Sequence, residues 1–339
     1  MTTDLEALVV AAYVFADEYP VPARGGRRPL ISDAELVALA VAQAATGISS
    51  DRQFLGLIGR VLPGWFPHLP DQSHYNRRLG ALVELLSIVQ QRLARGLDAG
   101  GARLSDGTLI GVANYPGCQR RSEFAGLARF GFAKSQHRFV YGVRLILLTD
   151  RRGLPLGYTI VPANEKEYEP LADLLTGTAA HVVIGDKGFW RREYAHRLAA
   201  CGTLLLTPAR TRSTANEARE RTLASTRLVI ESVFANLKEQ TRLERHLART
   251  PAGLALRIAQ RILALTLGML LNTQRPPRTR SRRLRRPLNH IKADESMAAP
   301  KGLGPRNSAH FYLPNSWFWG TRGRGHERAF TDPWPRRRS

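Results

Sequence analysis

Apolar positions follow a helical period at the start of the chain, a strand period in its middle and a helical period again before residue 272. Residues 3–16 repeat apolar side chains at three- and four-residue spacing, which predicts an amphipathic helix; the Pro/Gly/Arg stretch of residues 20–29 ends it. Ser32 followed by Glu35 forms a capping-box pattern ahead of LVALAVAQAA and predicts a second helix. Another covers residues 51–61 and stops at PGWFPHLP, whose prolines cannot continue it. A further helix is predicted to run unbroken from Gln72 through HYNRRLGALVELLSIVQQRLARG.

At Leu104 the period changes to two. SDGTLIGV, FVYGVRLILLTD and LPLGYTIVPAN read as strands, and the Asp150-Arg151-Arg152-Gly153 turn joins the last two as a hairpin. Residues 167–176 read as a helix, HVVIGD and TLLLTP as further strands, and residues 223–247 and 254–272 as two closing helices. The order predicts an α/β fold with a mixed sheet, preceded by an all-helical domain. Three regions follow: residues 1–100, 101–272 and 273–339. In the first, Asn76, Arg77 and Arg78 lie in a polar helical turn. That arrangement fits a helix-turn-helix DNA reader and equally a plain helical bundle that props up the core.

Composition narrows the partners. The net charge is +22, and from Thr273 onward the sequence carries 16 Lys/Arg against four Asp/Glu, so the remainder is basic on its own. Such an excess favours a polyanion, nucleic acid above all. The final region lacks periodicity and is rich in Pro, Gly and Arg, so it is expected to be a disordered basic tail, Trp317, Phe318, Trp319 and Trp334 included. Two cysteines, Cys118 and Cys201, give neither a disulfide framework nor a Cys-x-x-Cys pair, as befits a reducing cytoplasm. Asp4 and Glu6 stand where an export signal would carry cations, and the greasy run of residues 262–271 is shorter than a bilayer span. Neither a zinc-hydrolase histidine pattern nor a nucleotide-binding glycine loop is present.

The stretch LASTRLVIESVFANLKEQTRL, residues 223–243, places Arg227, Glu231, Phe234 and Lys238 on one helical face, beside an apolar stripe of Leu228, Val229, Val233 and Leu237. Alone, this spacing fits surface ion pairing as well as a site that holds metal ions and grips phosphate. Asp106 in the first strand and Asp186 at the end of VVIGD supply two more carboxylates. Converged, the three acids would repel one another unless divalent cations neutralised them, and hard oxygen donors favour Mg²⁺ or Mn²⁺. Two ions about 4 Å apart would clamp a scissile phosphate. Asp150 also ends a strand, but its place at the opening of a hairpin favours local hydrogen bonding. Glu239 and Glu244 fall off the face of Glu231 and are expected to be solvated. Phe189 and Trp190 are expected in the core rather than as base-stacking groups.

SDGTLIGV, FVYGVRLILLTDRRGLPLGYTIVPAN, VVIGDKGF and the Arg-x3-Glu-x6-Lys of RLVIESVFANLK together resemble the DDE transposases of bacterial insertion sequences. The nearest type is the insertion-sequence 982 family, related to the insertion-sequence 4 and 5 types. SDAEL, PGWFPHLP and NRR in the N-terminal region also fit it, so the resemblance covers residues 30–272. It implies a ribonuclease H-like core with Asp106, Asp186 and Glu231 as catalytic metal ligands and two Mg²⁺ or Mn²⁺ ions as cofactor. Arg227, Lys238 and Lys187 would contact DNA phosphates, with Asn76, Arg77 and Arg78 in the N-terminal reader. The implied activity is cleavage at transposon ends and joining of 3′-hydroxyls to target DNA, by a homodimer on double-stranded DNA in the bacterial cytoplasm, associated with the nucleoid. A transposase-derived DNA-binding protein without catalysis, and a ribonuclease H-like nuclease that cuts without joining, are the alternatives. Two positions depart from the pattern: Ala224 where related families often place tyrosine, and Gly107 where a serine is common.

Overall fold

Ser32 opens the first long buried helix as its sequence predicts. Its hydroxyl accepts from the Glu35 N–H at 3.1 Å, and the Glu35 carboxylate accepts from the Ser32 N–H at 2.6 Å. In the computed structural model this helix, α2 (Asp33–Thr46), follows α1 (Leu5–Asp17) and precedes α3 (Asp51–Val61), α4 (Gln72–Gly80) and α5 (Val83–Leu97). The structure describes residues 5–19, 29–133, 137–175, 181–209 and 217–274. The basic tail and its tryptophans lie outside the described residues.

The unbroken helix predicted from Gln72 is two helices. α4 ends where the Ala81 and Leu82 N–H groups turn back to Arg78 and Leu79 carbonyls, and α5 starts afresh at Val83. The heptad-like spacing of Leu79, Leu82, Leu86, Val89 and Leu93 continues across the break, and all five are buried in one core. Apolar period alone could not reveal a turn that keeps the same face inward.

The sheet begins with β1 (Arg103–Gly111), followed by a short helix α6 (Cys118–Arg121) and an edge strand β2 (Arg129–Ala133). β3 (Arg138–Thr149) and β4 (Pro155–Pro162) form the hairpin expected at Asp150. The Asp150 carboxylate accepts from the Arg152 and Leu154 N–H groups, which accounts for its burial without a metal role. α7 (Tyr168–Leu175), β5 (Val182–Ile184), α8 (Arg192–Ala200) and β6 (Leu204–Leu206) complete the alternation. β1 runs antiparallel to β3 and parallel to β5, and β5 runs parallel to β6, so the order is β4-β3-β1-β5-β6 with β2 alongside the first half of β3.

Two helices close the sheet's inner face. α9 (Glu217–Glu239) ends earlier than residue 247, because Arg242 takes a left-handed backbone (φ 55°) and a single 3-10 turn replaces the helix. α10 (Pro251–Thr273) is capped by Thr250, with Pro251 in its first turn. One side of α10, through Leu256, Ala259, Leu263 and Leu267, packs into the core of α1 to α5. Its other side, through Leu254, Ile258, Ile262 and Leu265, packs with α9 against β1 and β3. Among the described residues α10 is the one helix long and apolar enough to cross a membrane. It is buried on both sides here.

Polar groups join the two cores inside this packing. Arg257 donates to both Asp51 oxygens at 2.5 and 2.6 Å and to Gln43 Oε1 at 3.0 Å. Gln43 donates to Asp51, Tyr75 donates to Gln43, and Gln260 donates to the Ala40 carbonyl at 2.6 Å. All of these side chains are buried. Asp51→Asn should therefore leave a buried guanidinium uncompensated and cost about 3–5 kcal/mol, read as a lower urea midpoint. The double substitution Asp51→Leu with Arg257→Met should recover much of that loss.

Candidate active site

The parallel pairing of β1 with β5 sets Leu104 opposite Ile184. Two residues further along come Asp106, within β1, and Asp186, just past the end of β5, which are therefore neighbours. Asp106 shares the face of Leu104 and Ile110, the face that α9 covers. Asp186 precedes a 3-10 turn, Lys187–Phe189, in which Phe189 is fully buried and pins the turn to the core of α7 and α8. Trp190 packs partly against the same core, so Phe189 is withdrawn from any base while Trp190 is half-buried.

α9 brings the third carboxylate. Ile230, Val233, Phe234 and Leu237 are buried against the sheet, and Gly153, with φ 87°, leaves room for Val233 and Val229 where a Cβ would clash at 2.7 Å. Leu228, expected in that apolar stripe, is instead 60% exposed, because the buried face centres on Ile230 rather than on Leu228. Arg227 lies between two acids: its guanidinium is 3.3 Å from Asp186 and 3.6 Å from Glu231 one turn on. Ion pairs thus join Asp186, Arg227 and Glu231, and Asp106 lies close enough to Asp186 and Arg227 to feel their charges.

Other predicted site residues are placed differently. Lys238 Nζ pairs with Glu244 at 3.0 Å, and Glu244 is exposed as expected while also partnering the helix face. Lys187 is exposed in the turn after Asp186. On α4, Arg77 is exposed and Asn76 donates to the Gln72 carbonyl of its own helix. Arg78 donates to the Ile31 carbonyl at 2.6 Å and to Asp33 at 2.7 Å, tying α4 to the start of α2. That tie is structural, whatever else Arg78 does.

One acid at the site is absent from the sequence reading. Glu167, just before α7, pairs with Arg144 of β3. Its oxygens lie where a Cβ on Gly107 or Gly188 would come within 3.2 and 3.4 Å. The signal was Arg144 itself: a guanidinium in the middle of FVYGVRLILLT requires a buried partner. Burial pushes the Asp106 carboxyl up to about 6; the Gly107 N–H opposes this, the Glu167 and Asp186 charges add to it, and Arg227 offsets part.

This crowding of hard oxygen donors suits a divalent cation, which would relieve the repulsion that Arg227 now offsets. Among the described residues no three acids, histidines or cysteines are gathered tightly enough to hold one ion as they stand. Asp186 and Glu231 meet through Arg227 rather than directly.

Residues 101–267 match the family model of the transposase DDE domain, a span that begins just before β1 and includes Asp106, Asp186 and Glu231. The match supports a transposase of the DDE type. No curated protein matches the chain. Among solved structures, the crystal structure of the Mos1 mariner paired end complex with Mn matches over 75% of this chain and 82% of that one, at 15% identity and a TM-score of 0.21. A likeness at that TM-score does not establish a shared fold.

Asp106 makes a pH prediction. With the folded carboxyl near 6 against an ordinary 3.8, the native chain keeps a proton that the unfolded chain has lost. Stability should therefore fall as pH rises from about 4 to about 6 and stay lower above. Asp106→Asn should match the wild type below pH 4 and be more stable at pH 7 by on the order of 2 kcal/mol, residual solvent access allowed for. Thermal melts across that range in chelator-treated buffer check this; parallel curves for the two proteins would put Asp106 in open water.

Proposed function

We propose that the chain is a DDE transposase of the insertion-sequence 982 type that cleaves DNA at the ends of its element and joins the 3′-hydroxyls to target DNA. The observation that carries the reading is the neighbouring placement of Asp106 and Asp186 by the β1–β5 pairing, with Glu231 linked to Asp186 through Arg227. The strand order β4-β3-β1-β5-β6, antiparallel then parallel, supports a ribonuclease H-like core. In this reading residues 101–272 form the catalytic region, residues 1–100 an accessory DNA-reading region and residues 273–339 a basic tail.

Asp106, Asp186 and Glu231 would hold Mg²⁺ or Mn²⁺. When bound, two such ions supply activation of a water or 3′-hydroxyl and stabilisation of the leaving oxygen. The chain's own cations serve the phosphates. Arg227 stands at the acids and Lys238 about two turns beyond Glu231 along α9, at residue offsets that return to the same helical face. Lys187 lies exposed beside Asp186. These charges position the backbone around the scissile bond and carry no sequence information. Sequence reading falls to α4, where Arg77 is exposed, and a dimer would present two copies of each surface to the two ends.

The test is cleavage and strand transfer with linear DNA carrying the segments that flank the coding region, in Mg²⁺. Asp106→Asn, Asp186→Asn and Glu231→Gln should each lower cleavage at least a hundredfold, while end binding, set by the basic surface, changes little. Near wild-type cleavage by any one of them would remove that residue from the site. Cutting without joining would identify a nuclease, and binding without either a DNA-binding protein.

Lys238 gives a finer test. Lys238→Ala with Glu239→Lys keeps a cation on α9 but turns it about 100° round the axis. Cleavage should stay depressed in the double variant. Full recovery would mean that Lys238 contributes charge and no geometry.

A further inference from the structure

The hairpin formed by β2 and the first half of β3 carries an aromatic surface that the proposed chemistry does not use. Phe130 pairs across the strands with Tyr141, and Phe132 with Phe139. Period-two alternation puts all four rings on one face. The ring centroids are 5.2 Å apart in the first pair and 5.3 Å in the second, tilted and edge-to-face. This face continues the inner face of the sheet, since Val143, Leu145 and Leu147 follow Tyr141 at the same alternation and are buried under α9 and α10. Beyond Tyr141 the cover stops. Phe139 is 70% exposed, Phe130 47% and Phe132 46%.

Exposed phenylalanines on an edge strand invite another surface, and their surroundings select its chemistry. Between residues 112 and 142 the sequence has five Lys/Arg and one acid, Glu123. Arg120 and Arg121 are exposed on α6, whose Cys118 packs in the same cluster as Tyr141. Arg129 and Arg138 adjoin the rings in sequence and are exposed on the opposite face of the hairpin, where Arg129 also donates to the Ala125 and Ala128 carbonyls. A second copy of the hairpin would set like charges against each other. A partner that combines negative charge with flat apolar faces meets both demands, and unpaired nucleotides are that partner: phosphates meet arginine, bases stack on rings. Stacked duplex DNA hides its base faces from such a surface.

We infer that the β2–β3 hairpin is a binding surface for unpaired nucleotides, with Phe132 and Phe139 as its stacking platform. The inference rests on DNA being the partner of the catalytic site and adds a site separate from the acids.

The test is fluorescence anisotropy of the full chain with a labelled oligo-dT strand and with a duplex of equal length, across a salt series. Phe132→Ser with Phe139→Ser should weaken single-strand binding about tenfold, leave duplex binding within about twofold and keep the slope against log salt. Phe132→Trp with Phe139→Trp should restore single-strand affinity, which a general folding defect in the serine variant would not allow. Arg138→Gln should instead lower the salt slope on both ligands. Unchanged or equal losses on strand and duplex would overturn the inference and leave the catalytic reading standing. No wild-type binding to either oligonucleotide would overturn both. A wild-type dimer by light scattering that dissociates in the serine variant, with single-strand affinity unchanged, would assign the face to a second copy. Single-strand affinity that rises on deleting residues 275–339 and then ignores the phenylalanines would assign it to the chain's own tail.

Discussion

Arg257 can be buried in an apolar helix only because Asp51 meets it, and much of the fold depends on that meeting. α10 has two apolar sides, one for the N-terminal helices and one for the sheet. An apolar helix with two such sides could slide or rotate at modest cost, since Leu and Ile exchange neighbours readily. The forked bond from Arg257 to Asp51, with Gln43, Tyr75 and Gln260 around it, permits one position. Buried ion pairs add little net stability relative to a hydrophobic substitute, so registration is the more telling consequence here. Arg261, one turn further on, fixes the other end: it donates to the Thr241 carbonyl and binds the loop that follows α9.

That registration reaches the acids. The loop after α9 includes His246, whose ring bonds the Gly111 carbonyl at the end of β1. α10 thus holds the end of α9 and the end of β1 in one frame, and Glu231 and Asp106 sit on those two elements. The remaining geometry comes from β5, where the pairing of Leu104 with Ile184 sets Asp186. Carboxylates brought together this way are mutually destabilising, and their charges add to the upward displacement that burial gives Asp106. A core built for stability would not contain them.

Local chemistry was legible where it is written in adjacent residues. The capping box at Ser32, the turn at Asp150 and the α3 limits follow from caps, turn residues and prolines within a few positions. The placing of Asp106 on a strand, Asp186 just past one and Glu231 on a helix was legible because these are one-dimensional patterns. What the sequence concealed depends on partners far along the chain. The break at Ala81 preserves the buried face, so the period runs through it. The α9 terminus is set by the left-handed Arg242 and the bonds of its neighbours to Arg261, twenty residues on. β2 is short and reads as strand only once β3 stands beside it, and Arg144 seeks an acid 23 residues away.

Gly107 shows how such a distant contact accounts for a local anomaly. In the family that the motifs resemble, serine is common at this position, and its replacement by glycine looks at first like a loss. A Cβ at 107 would stand 3.2 Å from Glu167 and 3.3 Å from the Arg144 side chain, tighter than ordinary van der Waals contact. The backbone there is not left-handed, so conformational freedom does not explain the glycine. Space does. Removing the side chain lets the Arg144–Glu167 pair close over β1 immediately beside Asp106. The acid so admitted raises the Asp106 carboxyl further, and the Gly107 N–H, which donates to Asp106 at 2.8 Å, works against it. A serine here would push Glu167 outward and weaken the negative field at the first aspartate. The departure therefore belongs to the electrostatics of the site, with Gly107, Arg144 and Glu167 acting as one unit.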